Sequence, residues 1–268
     1  MVRYALALRK RPVAALRSPT VVARGLGEQA SRCRASRSSA TTNGYRQRGS
    51  EWQTVISVER FLEIRPWVYH LTAGENRPGI RTTRQLLPAA AFLVHRSTAT
   101  VRERRADSIS IATPQGMVLI RDQAPLHPGH IELQRGFSLE DLIELLNRHV
   151  FFWPGTAAGP SRYGQNHFGR YADSAPVLLR FPTHHLFDRY PDAVRFCRYN
   201  SGAPRTSYRR RSPRGPDLFL PPARFSGTPS KVVEVAVPMA VELPEATEQA
   251  THPAGPWTPF TRHIPRSP

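Results

Sequence analysis

The chain has 268 residues, 40% of which are hydrophobic, and it carries a formal net charge of +18. This is enough apolar material for one domain with a sizeable core, whereas no apolar run approaches the roughly 20 residues that a membrane-spanning helix needs. The two cysteines, Cys33 and Cys197, are too few for a disulfide framework or a cysteine zinc site, which suits a reducing cytoplasm. The positive charge is typical of a solvated basic surface or of one that binds nucleic acid or an acidic partner.

The first 50 residues differ in composition from the rest. They contain eleven Lys or Arg and one acidic residue, and they are rich in Ser, Ala and Gly without a periodic apolar pattern. Such a segment cannot bury enough apolar surface to offset the entropy lost on ordering, so we predict a disordered basic arm over residues 1–50. A targeting segment or a misassigned start would have the same acid-poor, Arg-rich composition.

Order is expected to begin near Glu51. The apolar spacing over residues 55–64 predicts an amphipathic helix that ends before Pro66. Residues 67–72 predict a strand, and Asn76 can cap a helix over residues 76–92.

The middle of the chain contains the clearest local signals. Two strands, at 109–111 and 117–120, flank a turn at Pro114-Gln115-Gly116. Ser138 begins a helix with a capping-box pattern, in which Asp141 takes the acidic position. The other predicted elements are strands at 150–155, 176–181, 193–199 and 231–237, a Gly-rich loop at 155–169 and a helical turn at 184–190.

Short strands with few helices predict a single α+β domain over residues 51–245. Beyond this domain the chain is rich in Pro, Thr and Ala, which predicts a disordered tail over residues 246–268.

The strand at 67–72 is the first candidate for a binding site. Side chains alternate across a strand, so Trp67, Tyr69 and Leu71 share a face that suits the core. His70 and Thr72 lie on the other face, close to the start of the following helix. The sequence therefore predicts a ligand pocket at this end of the strand.

Three further positions have two interpretations each, and a fourth has one. Arg121, next to Asp122, either forms an ion pair that holds a loop or binds pyrophosphate. Asn147 is expected to cap the end of its helix, and Asn200 belongs either to a simple turn or to the site. Glu234 is either solvated on a half-exposed sheet or located in a cleft.

Two histidine pairs raise the question of a metal, His127 with His130 and His184 with His185. No third ligand follows either pair at a suitable spacing, so we expect no metal site.

The motif Tyr69-His70-Leu71-Thr72, followed by Asn76, resembles the first strand of the DarT-type ADP-ribosyltransferases, which reads Tyr-His-x-Thr before an Asn-led helix. The chain also resembles an uncharacterised bacterial family that is known only as a domain of unknown function. The shared blocks are Tyr69-His70-Leu71-Thr72, Arg121-Asp122-Gln123, Leu146-Asn147, Val150-Phe151-Phe152-Trp153-Pro154 and Arg198-Tyr199-Asn200-Ser201-Gly202.

The resemblance to the transferases implies an ADP-ribosyltransferase-like sheet core and NAD as cofactor. The candidate residues for binding this cofactor are Tyr69, His70, Thr72, Arg121, Phe151, Trp153 and Asn200. The same resemblance implies that His70 positions NAD, that an aromatic side chain from residues 151–153 stacks on nicotinamide, and that Glu234 is the catalytic acid. The acceptor would be a nucleic acid or a protein. The alternative is a non-enzymatic domain of the same fold that binds nucleic acid or an acidic partner through its Arg-rich loops.

A chain that begins at Glu51 is expected to fold without the basic arm, because the arm lacks the apolar surface needed to offset the entropy lost on ordering. Its thermal unfolding, followed by circular dichroism, should be cooperative and should occur within a few degrees of the full-length transition. A large fall in melting temperature would show that residues 1–50 contribute to the fold.

Overall fold

The structure is a computed structural model that describes residues 55–94, 99–204 and 211–262. The helices in these ranges are α1 Val58–Ile64, α2 Arg77–Thr83, α3 Ala90–Leu93, α4 Leu139–Asn147, α5 Arg162–Arg170 and α6 His184–Arg189. The strands are β1 Trp67–Ala73, β2 Gln85–Leu86, β3 Ile109–Thr113, β4 Gly116–Ile120, β5 Ile131–Leu133, β6 Val150–Thr156, β7 Gly159–Pro160, β8 Pro176–Pro182, β9 Arg195–Cys197, β10 Ser212–Arg214, β11 Glu234–Val237, β12 Val241–Glu242, β13 Glu248–Ala250 and β14 Thr258–Pro259. Within the described ranges, none of the helices is long and apolar enough to cross a bilayer.

One large sheet organises the domain, and the predicted α+β class is confirmed. Its strands lie in the order β14-β13-β8-β1-β6-β11-β9, with β7 beside the end of β6. Every pairing in this sheet is antiparallel. Three small pairs, β3-β4, β2-β12 and β5-β10, lie outside it.

Both faces of the central strands are buried. On one face Val68, Phe152 and Val235 belong to the largest apolar cluster. On the other face Ala236 packs in a second cluster with the apolar side of α4. The prediction that β1 has one core face was therefore too simple, since Val68 and Tyr69 are both fully buried on opposite sides. A sheet that is covered on both sides can enclose a ligand site among its central strands.

The start of α4 and the hairpin were predicted correctly, whereas α1 begins at Val58 rather than at residue 55. Helix α1 begins after Ser57, whose hydroxyl accepts a hydrogen bond from the Arg60 amide. In the capping box of α4 the Ser138 hydroxyl accepts from the Asp141 amide at 3.1 Å, and the Asp141 carboxylate accepts from the Ser138 amide at 2.9 Å. Strands β3 and β4 form the expected hairpin.

The single helix predicted over 76–92 is wrong. Helix α2 ends at Thr83, and its C-cap Arg84 adopts a left-handed conformation with φ of 55° and donates its backbone N–H to the Ile80 oxygen. Pro88 then prevents the next residues from continuing the same helix. The buried Arg84 side chain explains this break, because its guanidinium donates to the backbone oxygens of Phe260, Leu243 and Pro244.

The loop predicted over 155–169 is also wrong. Strand β6 continues through Pro154 and Gly155 to Thr156, and α5 begins at Arg162. Glycine is required at 155, where a Cβ atom would lie 2.3 Å from the Gly159 oxygen. Two glycines and few apolar residues concealed α5 from a pattern-based prediction. The strands predicted at 193–199 and 231–237 are present but shorter, as β9 and β11.

The domain boundary predicted at residue 245 lies too early in the chain. Strand β13 pairs with β8, so part of the segment expected to be a disordered tail belongs to the sheet. Phe260 is 1% exposed and belongs to the largest apolar cluster. Arg180 on β8 also lies between the rings of Trp67 and Trp257 and forms an ion pair with Glu248. The basic arm at residues 1–50 and the last six residues, 263–268, lie outside the described ranges.

Phe260→Ala should lower the free energy of unfolding by about 3–5 kcal/mol, because it opens a cavity in the main core. Met239→Ala is the matched control, since Met239 is 45% exposed, and it should change stability by less than about 0.5 kcal/mol. Urea unfolding measures both. Equal small effects would show that the segment after residue 245 does not contribute to the core.

Candidate functional site

The central sheet is split between β1 and β6, because these neighbouring strands pair over only part of their length. Strand β1 pairs with β8 along all seven of its residues, but with β6 only over residues 67–69. The other end of β6 pairs instead with β11, over residues 150–152. Strands β1 and β6 therefore diverge beyond Tyr69, and a cavity of about 330 Å³ is lined by residues from both sides of the split.

Most of the predicted site residues line this one cavity. They come from β1, the end of β4, β6, the turn after β9 and β11, and they are His70, Thr72, Arg121, Phe151, Trp153, Asn200 and Glu234. His70 and Arg121, which belong to different strands or strand ends, therefore line the same cavity.

Tyr69 is the exception among the predicted site residues. It belongs to the three-residue stretch in which β1 and β6 still pair, and its side chain lies on the face of β1 opposite His70. Its hydroxyl donates to the Thr156 oxygen. Its ring packs edge-on against the Trp257 ring, with 5.5 Å between the ring centroids. The structure therefore assigns Tyr69 to packing rather than to the cavity.

His70 bridges the split. Its Nδ1 lies 3.0 Å from the Phe151 carbonyl oxygen on β6. Because a carbonyl only accepts, Nδ1 carries the hydrogen and Nε2 remains as an acceptor. Burial lowers the pKa of His70 to about 4, and the positive charge of Arg121 acts in the same direction. The imidazole is therefore neutral at pH 7.

The side chains of Asn76 and Arg121 hold the end of β1, although the sequence predicted a helix cap for the first and an ion pair or a pyrophosphate contact for the second. Asn76 does not cap α2 with its side chain. Its amide nitrogen donates to Thr72 Oγ1 and to the Leu119 oxygen, both at 3.0 Å, and its Oδ1 accepts from the Leu119 amide at 2.7 Å. Arg121 Nη2 donates to the Thr72 oxygen at 2.9 Å.

Glu234 lies in the cleft rather than on a solvated face. It is 3% exposed, and its Oε2 accepts a hydrogen bond of 3.2 Å from the Ser201 amide. Burial raises the pKa of Glu234 to about 7, while the hydrogen bonds from Ser201 and the charge of Arg214 oppose the shift. The turn at residues 200–202 thus has a specific task, which is to hold this carboxylate.

The pair predicted between Arg121 and Asp122 is not among the ion pairs of the described residues. The Arg121 guanidinium carbon lies 4.3 Å from the centre of the Tyr171 ring. Asp122 instead accepts from the Tyr171 hydroxyl at 3.3 Å and from the Ala124 amide at 3.0 Å.

Asn147 was expected to cap α4, but the cap is Arg148. The buried amide of Asn147 accepts from Arg105 Nη1 at 2.9 Å and donates to the Val101 oxygen at 2.8 Å. Arg105 lines the same cavity, and burial lowers its pKa to about 10.

Sequence reasoning missed two cavity residues, His167 on α5 and Tyr171 directly after it. His167 contacts the Trp153 ring at 4.7 Å and the Tyr171 ring at 5.1 Å, so that the three rings form a row. Burial lowers the pKa of His167 to about 3. The spacing of His167 and Tyr171 by four residues, which puts them on one helix face, was the available signal.

Neither histidine pair lines this cavity. The rings of His127 and His130 contact each other at 4.7 Å, and His185 Nε2 lies 3.0 Å from the Glu242 carbonyl oxygen. In the part of the chain that the structure describes, no group of three or more His, Cys, Asp or Glu could hold a metal ion.

Comparison with protein families identifies one match. The sequence model of the Family of unknown function (DUF7002) matches residues 66–247. The chain belongs to this family. No curated protein and no protein of solved structure shows significant similarity to it. The resemblance to a family of unknown function is confirmed, and the matched range includes every cavity residue named above.

The raised pKa of Glu234 predicts a pH dependence of stability. Below its ordinary value of 4.5 the carboxyl is protonated in both states, whereas between pH 4.5 and 7 the unfolded chain ionises before the folded protein does. The stabilising effect of the raised pKa is therefore complete at low pH and is lost as the pH rises through this range. The free energy of unfolding of wild type relative to Glu234→Gln should fall by on the order of 3 kcal/mol. Urea unfolding across the range measures it, and a constant difference would contradict a buried, uncharged carboxyl.

Proposed function

We propose that the cavity binds NAD and that the domain transfers its ADP-ribosyl group to an acceptor. One observation carries the proposal: the split between β1 and β6 brings a neutral histidine, aromatic rings and a buried carboxylate to a single cavity. His70 stands on one side of the split, and Glu234 and the aromatic residues of β6 stand on the other. The first strand also carries the motif that resembles the DarT-type transferases.

The residues present suit the two ends of the nicotinamide riboside half of NAD. The free Nε2 of His70 can accept a hydrogen bond from a carboxamide N–H or a ribose hydroxyl. The ring of Phe151 is half-buried, lines the cavity and can stack on a flat heterocycle. Because the cavity is lined by apolar as well as polar side chains, it suits a ligand that is partly aromatic.

Glu234 supplies the chemistry at the reacting sugar. In the transfer, the bond between ribose C1′ and the nicotinamide nitrogen breaks, and nicotinamide leaves with the bonding electron pair. Positive charge develops on the sugar, and a fixed carboxylate beside it stabilises that charge. The acceptor forms the new bond to C1′, and its proton passes to Glu234. A pKa near 7 suits this exchange of protons at neutral pH.

The acceptor is proposed to be a nucleic acid or a protein, and the location to be the cytoplasm, where NAD is abundant. The formal charge of +18 favours an anionic acceptor or partner. The alternative is a domain of the same fold that binds such a partner without catalysis. The two proposals differ in whether the protein binds and cleaves NAD, so a measurement with NAD distinguishes them.

Titration with NAD in a calorimeter, followed by measurement of nicotinamide release, tests the proposal. Glu234→Gln keeps the shape of the side chain and removes its charge, so it should leave NAD affinity within a few-fold and lower turnover by about 10²-fold or more. Glu242→Gln is the control, because Glu242 is an exposed carboxylate on β12, and it should leave turnover unchanged. His70→Ala should weaken NAD binding.

Two results would contradict this assignment in different ways. If wild type neither binds nor cleaves NAD at millimolar concentration, the enzymatic proposal fails and the binding domain replaces it. If wild type cleaves NAD and Glu234→Gln cleaves it equally fast, the transferase stands but Glu234 is not its catalytic acid.

A further inference from the structure

Two hydrogen-bond donors of the cavity lack an acceptor. Among the described residues, several buried side-chain nitrogen and oxygen atoms have no hydrogen-bond partner. Only two of these atoms belong to residues that line the cavity, namely Arg121 Nη1 and Trp153 Nε1. A buried donor without an acceptor costs free energy, so such atoms are uncommon unless a ligand or water completes them.

The positive charge of Arg121 is only partly balanced by the chain, because Asp122 and Glu75 act on it electrostatically without forming an ion pair with it. In the described ranges no carboxylate lies within ion-pair distance of Arg121 or Arg105. The carboxylate of Asp122 is engaged by the Ala124 amide and the Tyr171 hydroxyl. Buried cations are normally paired, which indicates that the missing negative charge comes from a bound molecule.

The two unpaired donors belong to one rigid frame. Trp153 contacts His167, His167 contacts Tyr171, and the guanidinium of Arg121 lies over the Tyr171 ring. Arg121 is fixed from a second direction, since its Nη2 is bonded to the Thr72 oxygen. The donors are therefore held in place before a ligand arrives, and preorganised donors bind a charged group with little loss of entropy.

We propose that Arg121 Nη1 and Trp153 Nε1 form an oxyanion subsite that binds the diphosphate of the ligand. Both donors belong to residues that line one cavity, and these residues are linked through the rings of His167 and Tyr171. A diphosphate has acceptor oxygens on two linked phosphorus atoms and can reach both donors. Arginine is well suited to this task because its guanidinium binds phosphoryl oxygens and stacks on aromatic rings.

The inference deepens the proposed function, and it rests on that function only for the nicotinamide half of the ligand. It gives Trp153 a role different from ring stacking, because the indole N–H then donates a hydrogen bond to a diphosphate oxygen. It also explains why the Arg121 guanidinium stacks on a ring instead of pairing with Asp122.

Calorimetric titrations of four probes, NAD, ADP-ribose, inorganic pyrophosphate and nicotinamide riboside, test the subsite. Arg121→Gln should lower affinity for the first three by about tenfold or more, the size expected for a hydrogen bond to a charged group. Trp153→Phe keeps a ring and removes only the donor, so it should lower the same affinities by about two- to tenfold. Both variants should leave nicotinamide riboside, which has no phosphate, within about twofold.

Matched controls remove the same groups elsewhere. Trp67→Phe changes a tryptophan that packs on Arg180, and Arg60→Gln changes an exposed arginine paired with Glu63. Neither residue lines the cavity, so neither substitution should alter the four affinities. Thermal unfolding of each variant establishes that it is folded, and Trp153→Phe decides the outcome if Arg121→Gln is not.

The outcomes separate this inference from the proposed function. Unchanged affinity for ADP-ribose and pyrophosphate in a folded variant overturns the subsite while leaving NAD binding intact. A wild-type protein that binds pyrophosphate through Arg121 but binds no nicotinamide compound supports the subsite and removes NAD as the ligand. A wild-type protein that binds none of the phosphate-containing probes overturns the subsite.

Discussion

The divergence of β1 and β6 is the constraint on which the rest of the site depends. A strand that leaves its neighbour exposes backbone groups which must find other partners. Here side chains replace the missing hydrogen bonds between the strands. His70 Nδ1 donates to the Phe151 carbonyl oxygen, and Arg121 Nη2 donates to the Thr72 carbonyl oxygen. The Asn76 side chain donates to the Leu119 carbonyl oxygen and accepts from the Leu119 amide, so it connects β4 to the end of β1. The polar residues that keep the sheet open are thus the ones that line the cavity.

The buried arginines illustrate two different uses of the same side chain. Arg84 donates to three backbone oxygens and joins the end of α2 to the C-terminal segment. Arg214, 1% exposed, donates to the Asn200 oxygen and supports the turn that holds Glu234. Both are structural, because the chain supplies acceptors for both Nη atoms of each guanidinium. Arg121 receives only one acceptor from the chain and lies beside a cavity, so its remaining hydrogen-bonding capacity is directed to something that the chain does not contain.

The sequence was informative wherever the signal was local. The capping box at Ser138, the hairpin around Gly116 and the strand at residues 67–72 all depend on neighbouring residues, and they were predicted correctly. The long helix after Asn76 was wrong because the break at Arg84 depends on carbonyls more than 150 residues away. Helix α5 was missed because packing against Trp153 stabilises it despite its glycines.

The same distinction holds for the site. Alternation along β1 identified His70 and Thr72, and the position of Glu234 on a late strand identified the carboxylate. Alternation could not show that Tyr69 lies before the split, since the point of divergence is set by the partners of β6. The tasks of Asn147 and Ser201 were likewise hidden, because each bonds to a group that is distant in sequence.

The position of β13 at the far side of β8 has a consequence for synthesis. Strand β8 and its partner β1 are complete once residue 182 has been made, but β13 and Phe260 follow about seventy residues later. Until then the outer edge of β8 has unpaired backbone groups, and the main core lacks one of its aromatic side chains. Unpaired strand edges are templates for association between chains. A ribosome that stalls before residue 250 therefore releases a nascent chain with an open sheet edge, and such truncated chains should depend more on chaperones than the finished protein does.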